Sequence, residues 1–544
     1  MPDTVEASDA DQEDNQPDPL EAQKLPLAID TKGERPQSDP SVLPPAADQL
    51  PPGNTDLTAP ASLALPDKPS QVRIRRLRPM SLGEVETIAE VNNPNLKAIA
   101  LQVEQAQSAL RAQIALWYPN ITLNIASFPT YTAGQQSTSD STQEDPTSTY
   151  TSITSFDAAL QISWGLINPT RTPLIAAARD AYEQAKNQYL ISLRELRLNS
   201  NLAYFSLQSA DEQVRIGQES VRASLISLRD ARARFRAGVA TKLEVLEAET
   251  QLARDQQLLS SGLADQATAR RNLAALLDLP QDVTPTAKDP SRVIGTWMPS
   301  LQESIIAAYA FREELDNLIL DISIANSNAN AQLGQVQPFL NIVNNFGLGR
   351  SYGYQLDPNP VSNVTSWSVD NSVGLNLSWN LFDGGAARAN YRRQKQIAEE
   401  SRFRFAEQRD SIRQEVEQNF FTLELNNRNI ATTSREVIST RESLRLARLR
   451  FQAGVTTQRE VVDTQRDLTQ AEVRYANAIT DYSSSRAQLR RLTGLDQITL
   501  CPAPSLPATR PVVEGASDIP VEPQPVIPAC TTTSSLPGGA IPDS

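Results

Sequence analysis

The phrase FQAGVTTQREVVD at residues 451–463 repeats FRAGVATKLEVLE at 235–247. A chain that writes the same glycine-interrupted, acid-ended phrase twice has duplicated a structural unit, and any fold it adopts must accommodate two copies. The copy extends well beyond the phrase. SLGEVETIAEVNNPNLKAI (81–99) aligns with SLQESIIAAYAFREELDNL (300–318), ALQISWGLIN (159–168) with GLNLSWNLFD (374–383), and LDLP (277–280) with TGLD (493–496). The repeats therefore occupy residues 80–280 and 300–496, joined by a linker at 281–299. Residues 1–79 are acidic and Pro-rich and read as disordered, because they cannot bury enough apolar surface to offset chain entropy. A Pro-rich tail follows at 497–544.

Each repeat reads helix, strand, strand, long helix, shorter helix. Strands are expected at about 120–131 and 153–167 in the first repeat, and at about 338–352 and 366–382 in the second. Their side chains alternate. Phe156, Leu160, Ile162, Trp164 and Leu166 share one face, against Ser155, Asp157, Gln161 and Ser163 on the other. Trp367, Val369, Val373, Leu375, Leu377 and Trp379 likewise oppose Ser368, Asp370, Ser372, Asn376 and Ser378. The runs are about the ~9–11 residues of a membrane barrel strand. Long polar stretches at 132–149 and 353–366 read as loops on one side, the pattern of an outer-membrane barrel. Trp117, Trp164, Trp367 and Trp379 flank the strands and suit an interfacial aromatic girdle. On the strands alone, a soluble sandwich with buried tryptophans is the competing reading.

The helices decide against the sandwich. Residues 170–237 contain Pro173 in the first turn and Gly217 as their breakers, and 386–453 contain neither Gly nor Pro. Each would run roughly 100 Å at 1.5 Å per residue, which a globular core cannot use. Heptad-like apolar positions such as Leu193, Leu196, Ala203 and Leu207 predict thin coiled-coil seams. The shorter helices at 81–117, broken near Asn93 and Pro94, and at 241–278 are each about half as long. Stacked end to end they match one long helix, and side by side they make a cylinder wall.

The repeated phrase reads as a helix hairpin made twice. Gly238 and Gly454 end the long helices in a left-handed turn, with Val239 and Val455 after them. Thr241 with Glu244, and Thr457 with Glu460, read as capping boxes that open the next helix. Glu247 and Asp463, one turn further on, are not needed as caps. They are either solvated surface or, if copies gather about an axis, an acidic ring.

Charge and composition remove several functions. Asp+Glu number 64 against 50 Lys+Arg, a net −14, which argues against a nucleic-acid partner. The absence of His rules out Ser-His-Asp and Cys-His catalysis. RIRRLR (73–78) reads as a solvated basic patch. Cys501 and Cys530 could close a disulfide in an oxidising compartment. No stretch approaches the ~20 apolar residues of a spanning helix, and the N-terminus shows no basic-then-apolar secretion signal. That pattern alone reads as soluble and cytoplasmic, though a cleaved signal or misplaced start would look the same.

Four strands cannot close a barrel, and open edges in lipid leave backbone groups unpaired at several kcal/mol each. Two chains would give eight strands around a packed interior, and three would give twelve around water. The trimer is preferred on geometry.

With its duplicated halves, SWGLIN (163–168), SWNLFDGG (378–385) and above all RFRAGVATKLEVLE (234–247) with RFQAGVTTQREVVD (450–463), the chain resembles the TolC-like outer membrane efflux proteins over about residues 80–496. The resemblance implies a mainly α fold with a membrane β-barrel contribution: four strands per chain, a trimeric twelve-strand barrel and a long antiparallel helical tunnel in the periplasm. It implies a homotrimer in the outer membrane that serves tripartite drug efflux or type I secretion, with a periplasmic adaptor and an inner-membrane ABC or proton-driven transporter as partners. It places Glu460 and Asp463, with Glu244 and Glu247 as first-half equivalents, at the periplasmic gate, and assigns the turns Gly238, Val239, Thr241, Gly454, Val455 and Thr457 to adaptor contact. No enzyme activity and no cofactor is expected, and no nucleotide-binding GxxxxGK[ST] is present. A periplasmic coiled-coil scaffold is the alternative. It accounts for the helices but not for four alternating, girdled strands.

Overall fold

The computed structural model describes residues 46–500 apart from 75, 139–146, 294, 357–361 and 496–497. Cys501, Cys530, the tail from 501 and the first 45 residues lie outside the described set.

The duplication is realised element by element. The first repeat holds α1 (Leu82–Asn92), α2 (Pro94–Ile114), β2 (Asn120–Thr138), β3 (Thr147–Ile167), α3 (Arg171–Arg236) and α4 (Lys242–Leu276). The second holds α5 (Leu301–Phe311), α6 (Glu313–Gly334), β6 (Phe339–Leu356), β7 (Ser362–Ser378), α7 (Ala386–Gln452) and α8 (Gln458–Thr493). Among the described residues there are also four short strands: β1 (Arg76–Met80), β4 (Val283–Ala287), β5 (Gly295–Trp297) and β8 (Ile498–Leu500). The four strands expected for the membrane part form one four-stranded sheet, and the four short strands, which the sequence did not suggest, pair in two separate two-stranded sheets among the described residues.

The chain divides into two units. One contains 103–185 and 317–404, and is built on a single antiparallel sheet in the order β2-β3-β6-β7. β3 pairs with β6 across the duplication, so the two hairpins form one meander. The sheet does not close on itself, and β2 and β7 each keep a free edge within the chain. β2, β3 and β6 are longer than their alternation predicted, while β7 keeps the expected length but starts at Ser362 and ends at Ser378, four residues short of 382. Most of 132–149 and 353–366, read as loops, is strand, because the Thr, Ser and Gln of these stretches continue the backbone ladder: Gln136 is opposite Thr149, and Tyr354 is opposite Asn363. Alternation marks the apolar part of a strand, while backbone pairing runs on past it. Pro129 is tolerated in β2 where the register shifts between Ser127 and Thr130.

The other unit contains the described parts of 30–102, 186–316 and 405–500. α1 and α5 start alike: the Ser81 and Ser300 backbone N–H groups donate to Glu84 and Glu303 at 2.8 and 2.7 Å. Both helices then break after 11 residues, at Asn93 (ψ 120°) before Pro94 and at Arg312 (ψ 112°). Proline forces the first break. The second has none; there Arg312, 3% exposed, pairs with Glu314 at 3.0 Å and Glu415 at 2.7 Å.

The reading of residues 1–79 as wholly disordered is corrected over its described part. Leu57 is fully buried, the Asn92 side-chain amide donates to the Leu57 carbonyl at 2.7 Å, and the Ala47 N–H donates to Glu90 at 2.7 Å. β1 pairs in parallel with β4, so the linker at 281–299 is part of the core. The basic patch is partly absorbed: Arg76 pairs with Asp56 and Asp282 at 3.1 and 3.2 Å, and Arg78 donates to the Gly53 carbonyl at 2.8 Å. Composition gave no sign of this, because the apolar surface that orders the segment belongs to the folded repeats. β5 pairs with β8, which brings the chain up to residue 500 into the same unit.

Candidate functional site

The sheet presents one apolar face. Register pairs place Trp164, Ile342 and Leu375 on it together, as they do Leu160 with Phe346, and Ala158 with Leu348 and Val369. Leu160 and Ile342 are half-buried, but most large side chains of this face are exposed, Leu375 by 68%, Val373 by 71% and Leu123 by 63%. No core covers them, so this surface calls for an apolar solvent. The opposite face carries Asn345, Gln161 and Ser372, with Asp157 and Asp370 set against Gly349 and Gly347.

The tryptophans sort to two levels. Trp164 donates its indole N–H to the Trp117 carbonyl at 2.9 Å, and Trp379 donates to the Val336 carbonyl at 3.0 Å. Trp117 sits in a single turn of 3-10 helix at Ala115–Trp117, with the Arg171 guanidinium 4.0 Å from its ring centre. These three mark the end of the sheet next to the helices. Trp367 lies at the far end, opposite Arg350, with Phe156 across β6. The Phe128 and Phe156 rings are 5.4 Å apart at this second level. The sequence placed Phe156 on the apolar face but did not assign it, or Phe128, to an aromatic level, although Phe156 stands at the end of the alternating run. Where β7 leads into α7, the backbone N–H groups of Ala387 and Gly385 donate to Asp383 and hold its carboxyl below the usual range.

The two helix hairpins are near copies. Gly238 (φ 75°) and Gly454 (φ 74°) take the left-handed turn. In each, the valine N–H returns to an arginine carbonyl: Val239 to Arg234 at 3.0 Å and Val455 to Arg450 at 2.9 Å. This satisfies carbonyls that a helix end leaves open. Val239 and Val455 stay exposed, by 66% and 69%.

The acids differ between the copies. Glu244 forms the expected box with Thr241. Glu460 does not: Thr457 makes no side-chain cap, and Glu460 instead accepts from Arg450 at 2.7 Å and from the Thr456 hydroxyl. The expected capping box at Thr457 is therefore corrected. The cause is readable in the phrase itself, since Thr456 stands where the first copy has Ala240, which carries no hydroxyl. Asp463 lies between Arg459 at 3.8 Å and Arg466 at 3.3 Å, while no ion pair holds Glu247 among the described residues. Within one chain no three of these carboxylates converge on a metal-sized site among the described residues.

The hairpins touch one another. The Arg234 guanidinium lies 4.3 Å from the centre of the Phe451 ring, Gln458 donates to Ser227, and the Ser220 and Thr469 hydroxyls are 3.1 Å apart. Between them lies a cleft of about 410 Å³ lined by Ser224, Arg234, Gln251, Arg448 and Phe451 among others.

A sheet with one uncovered apolar face, joined to long paired helices, defines an outer-membrane channel subunit. Comparison with known proteins agrees. The family model "Outer membrane efflux protein" matches residues 87–278 and 307–495, and the chain belongs to that family, whose members are passive conduits and not enzymes. It is 27% identical over 336 residues to the pyoverdine export outer membrane protein OpmQ of Pseudomonas putida, covering 60% of this chain and 67% of that protein. Among solved structures, CusC is similar at a TM-score of 0.62 and 16% identity, covering 83% of this chain and 99% of that one. VceC of Vibrio cholerae is similar at a TM-score of 0.61 and 14% identity, covering 76% and 96%. Identities this low speak for the fold.

Proposed function

We propose that three copies of this chain join their sheets edge to edge into a twelve-strand barrel in the outer membrane and form the exit duct of a tripartite efflux assembly. The observation that carries this reading is the sheet itself, with two free edges and an uncovered apolar face. On β6 the apolar face runs from Leu340 to Arg350, roughly 34 Å of strand, or about 25 Å of height at a ~40° tilt. That height suits the apolar band of an outer-membrane barrel, and the two aromatic levels stand at its borders. A soluble scaffold would leave the same face in water. No helix among the described residues is long and apolar enough to cross a membrane.

The duct is passive. A periplasmic adaptor and an inner-membrane ABC or proton-driven transporter supply the energy and splay the hairpin ends, where Glu460, Asp463, Glu244 and Glu247 line the gate and the turns at Gly238 and Gly454 meet the adaptor. The arginine partners of Glu460 and Asp463 make surface pairs, worth about 0.2–1 kcal/mol each. Such contacts can be exchanged at little cost when a partner docks. The similarity to OpmQ, a pyoverdine export protein, supports efflux as the route served.

Outer-membrane fractionation followed by light scattering in detergent tests the assembly. A heat-resistant particle of three chain masses is expected, and a monomer or a water-soluble particle would overturn the reading. Replacing both Glu460 and Asp463 by Ala should weaken block by multivalent cations in planar-bilayer conductance by about tenfold, the equivalent of ~1.4 kcal/mol. Unchanged block would remove the gate from these residues.

A further inference from the structure

The four long strands contain one basic residue, Arg350. Its register partners are Phe156 on β3 and Trp367 on β7, so it stands on the apolar face. It is exposed, and no carboxylate among the described residues pairs with it. Asp157 and Asp370, the two acids of these strands, take the other face, opposite Gly349 and Gly347. Along β6 the same face reads Ile342, Asn344, Phe346 and Leu348 before Arg350, with the Asn344 amide donating to Asn371, then Tyr352 and Tyr354, which are 56% and 46% exposed.

An arginine on a lipid-facing strand costs about 2–4 kcal/mol at the bilayer midplane and about 0–1 near an interface. Arg350 sits at the border, where hydrocarbon-facing side chains give way to tyrosines. A guanidinium there is best satisfied by a phosphate, which it meets with two parallel hydrogen bonds. The helices leave the sheet at the Trp379 end, so Arg350 lies at the opposite, outward end.

We propose that Arg350, with Tyr352 two residues further along the same face, binds the headgroup phosphate of a lipid A-type glycolipid in the outer leaflet. The site rests on the barrel reading above. A trimer would carry it three times, and each bound lipid would lay its acyl chains against Phe346 and Leu348.

The test uses the full chain in phosphatidylcholine nanodiscs with and without diphosphoryl lipid A, read by native mass spectrometry. The wild type should retain lipid A. Arg350→Gln should weaken retention about tenfold or more, as expected for a lost hydrogen bond to a charged group, and Arg350→Lys, which keeps the charge but not the paired hydrogen bonds, should restore only part of it. Equal retention by Arg350→Gln, in particles that still run as the heat-resistant oligomer, would overturn the site and leave the barrel standing. Failure of the wild type to insert as an oligomer would instead overturn the barrel reading, and the site with it.

Discussion

Arg197→Met is expected to cost about 3–5 kcal/mol of folding stability. Arg197 and Glu90 meet at 2.6 Å with both side chains 6% exposed. Removing the guanidinium leaves a carboxylate buried without its counter-charge, holding only the Ala47 N–H. The loss should reach beyond one pair, because Glu90 also anchors residues 46–57 through that bond. A matched surface change sets the scale. Arg215 pairs with Glu212 and Glu219 at 2.5 and 2.8 Å, yet its side chain is 47% exposed. Arg215→Met should cost under about 1 kcal/mol, since water screens both partners. Thermal unfolding followed by circular dichroism in detergent compares the two. Equal shifts would mean that burial does not decide the strength of these pairs.

Gly217→Leu should open the first hairpin. A Cβ built on Gly217 would stand 3.0 Å from the Leu259 Cα, so backbone rather than a movable side chain meets it. α3 and α4 approach this closely because the residue has no side chain, and a leucine there would push the helices apart at a cost of about 1–3 kcal/mol or more. Gly262 contributes less. Its nearest neighbour would be the Val214 side chain at 3.5 Å, ordinary van der Waals contact. Gly262→Ala should therefore change stability by under about 1 kcal/mol, with helix propensity in its favour. If Gly217→Leu melted with the wild type, the close crossing would have no energetic weight.

Much of this architecture was legible in the chain. The duplication, the two hairpins and the apolar side of each strand follow from local patterns: a repeated phrase, a glycine at a helix end, a period of two. Gly217 stood out as a lone glycine in a long helix, but its purpose needed Leu259 beside it. The candidate site was read in the same uneven way. The positions of Glu460 and Asp463 came from the phrase, whereas the partner of Glu460 depended on one hydroxyl, that of Thr456, competing with a cap.

The sequence by itself determined the long helices, the four long strands and which side of each strand is apolar, because propensity, capping and periodicity act between residues a few positions apart. The tertiary structure alone decided how far the strands pair, where α5 stops without a proline, and that residues 46–80 belong to the fold. Those outcomes rest on partners distant in the chain, such as Arg490 with Glu86 at 2.5 Å or Arg491 with Glu314 at 3.1 Å. A charge in a sequence carries no mark of which opposite charge will reach it, and only folding brings the two together.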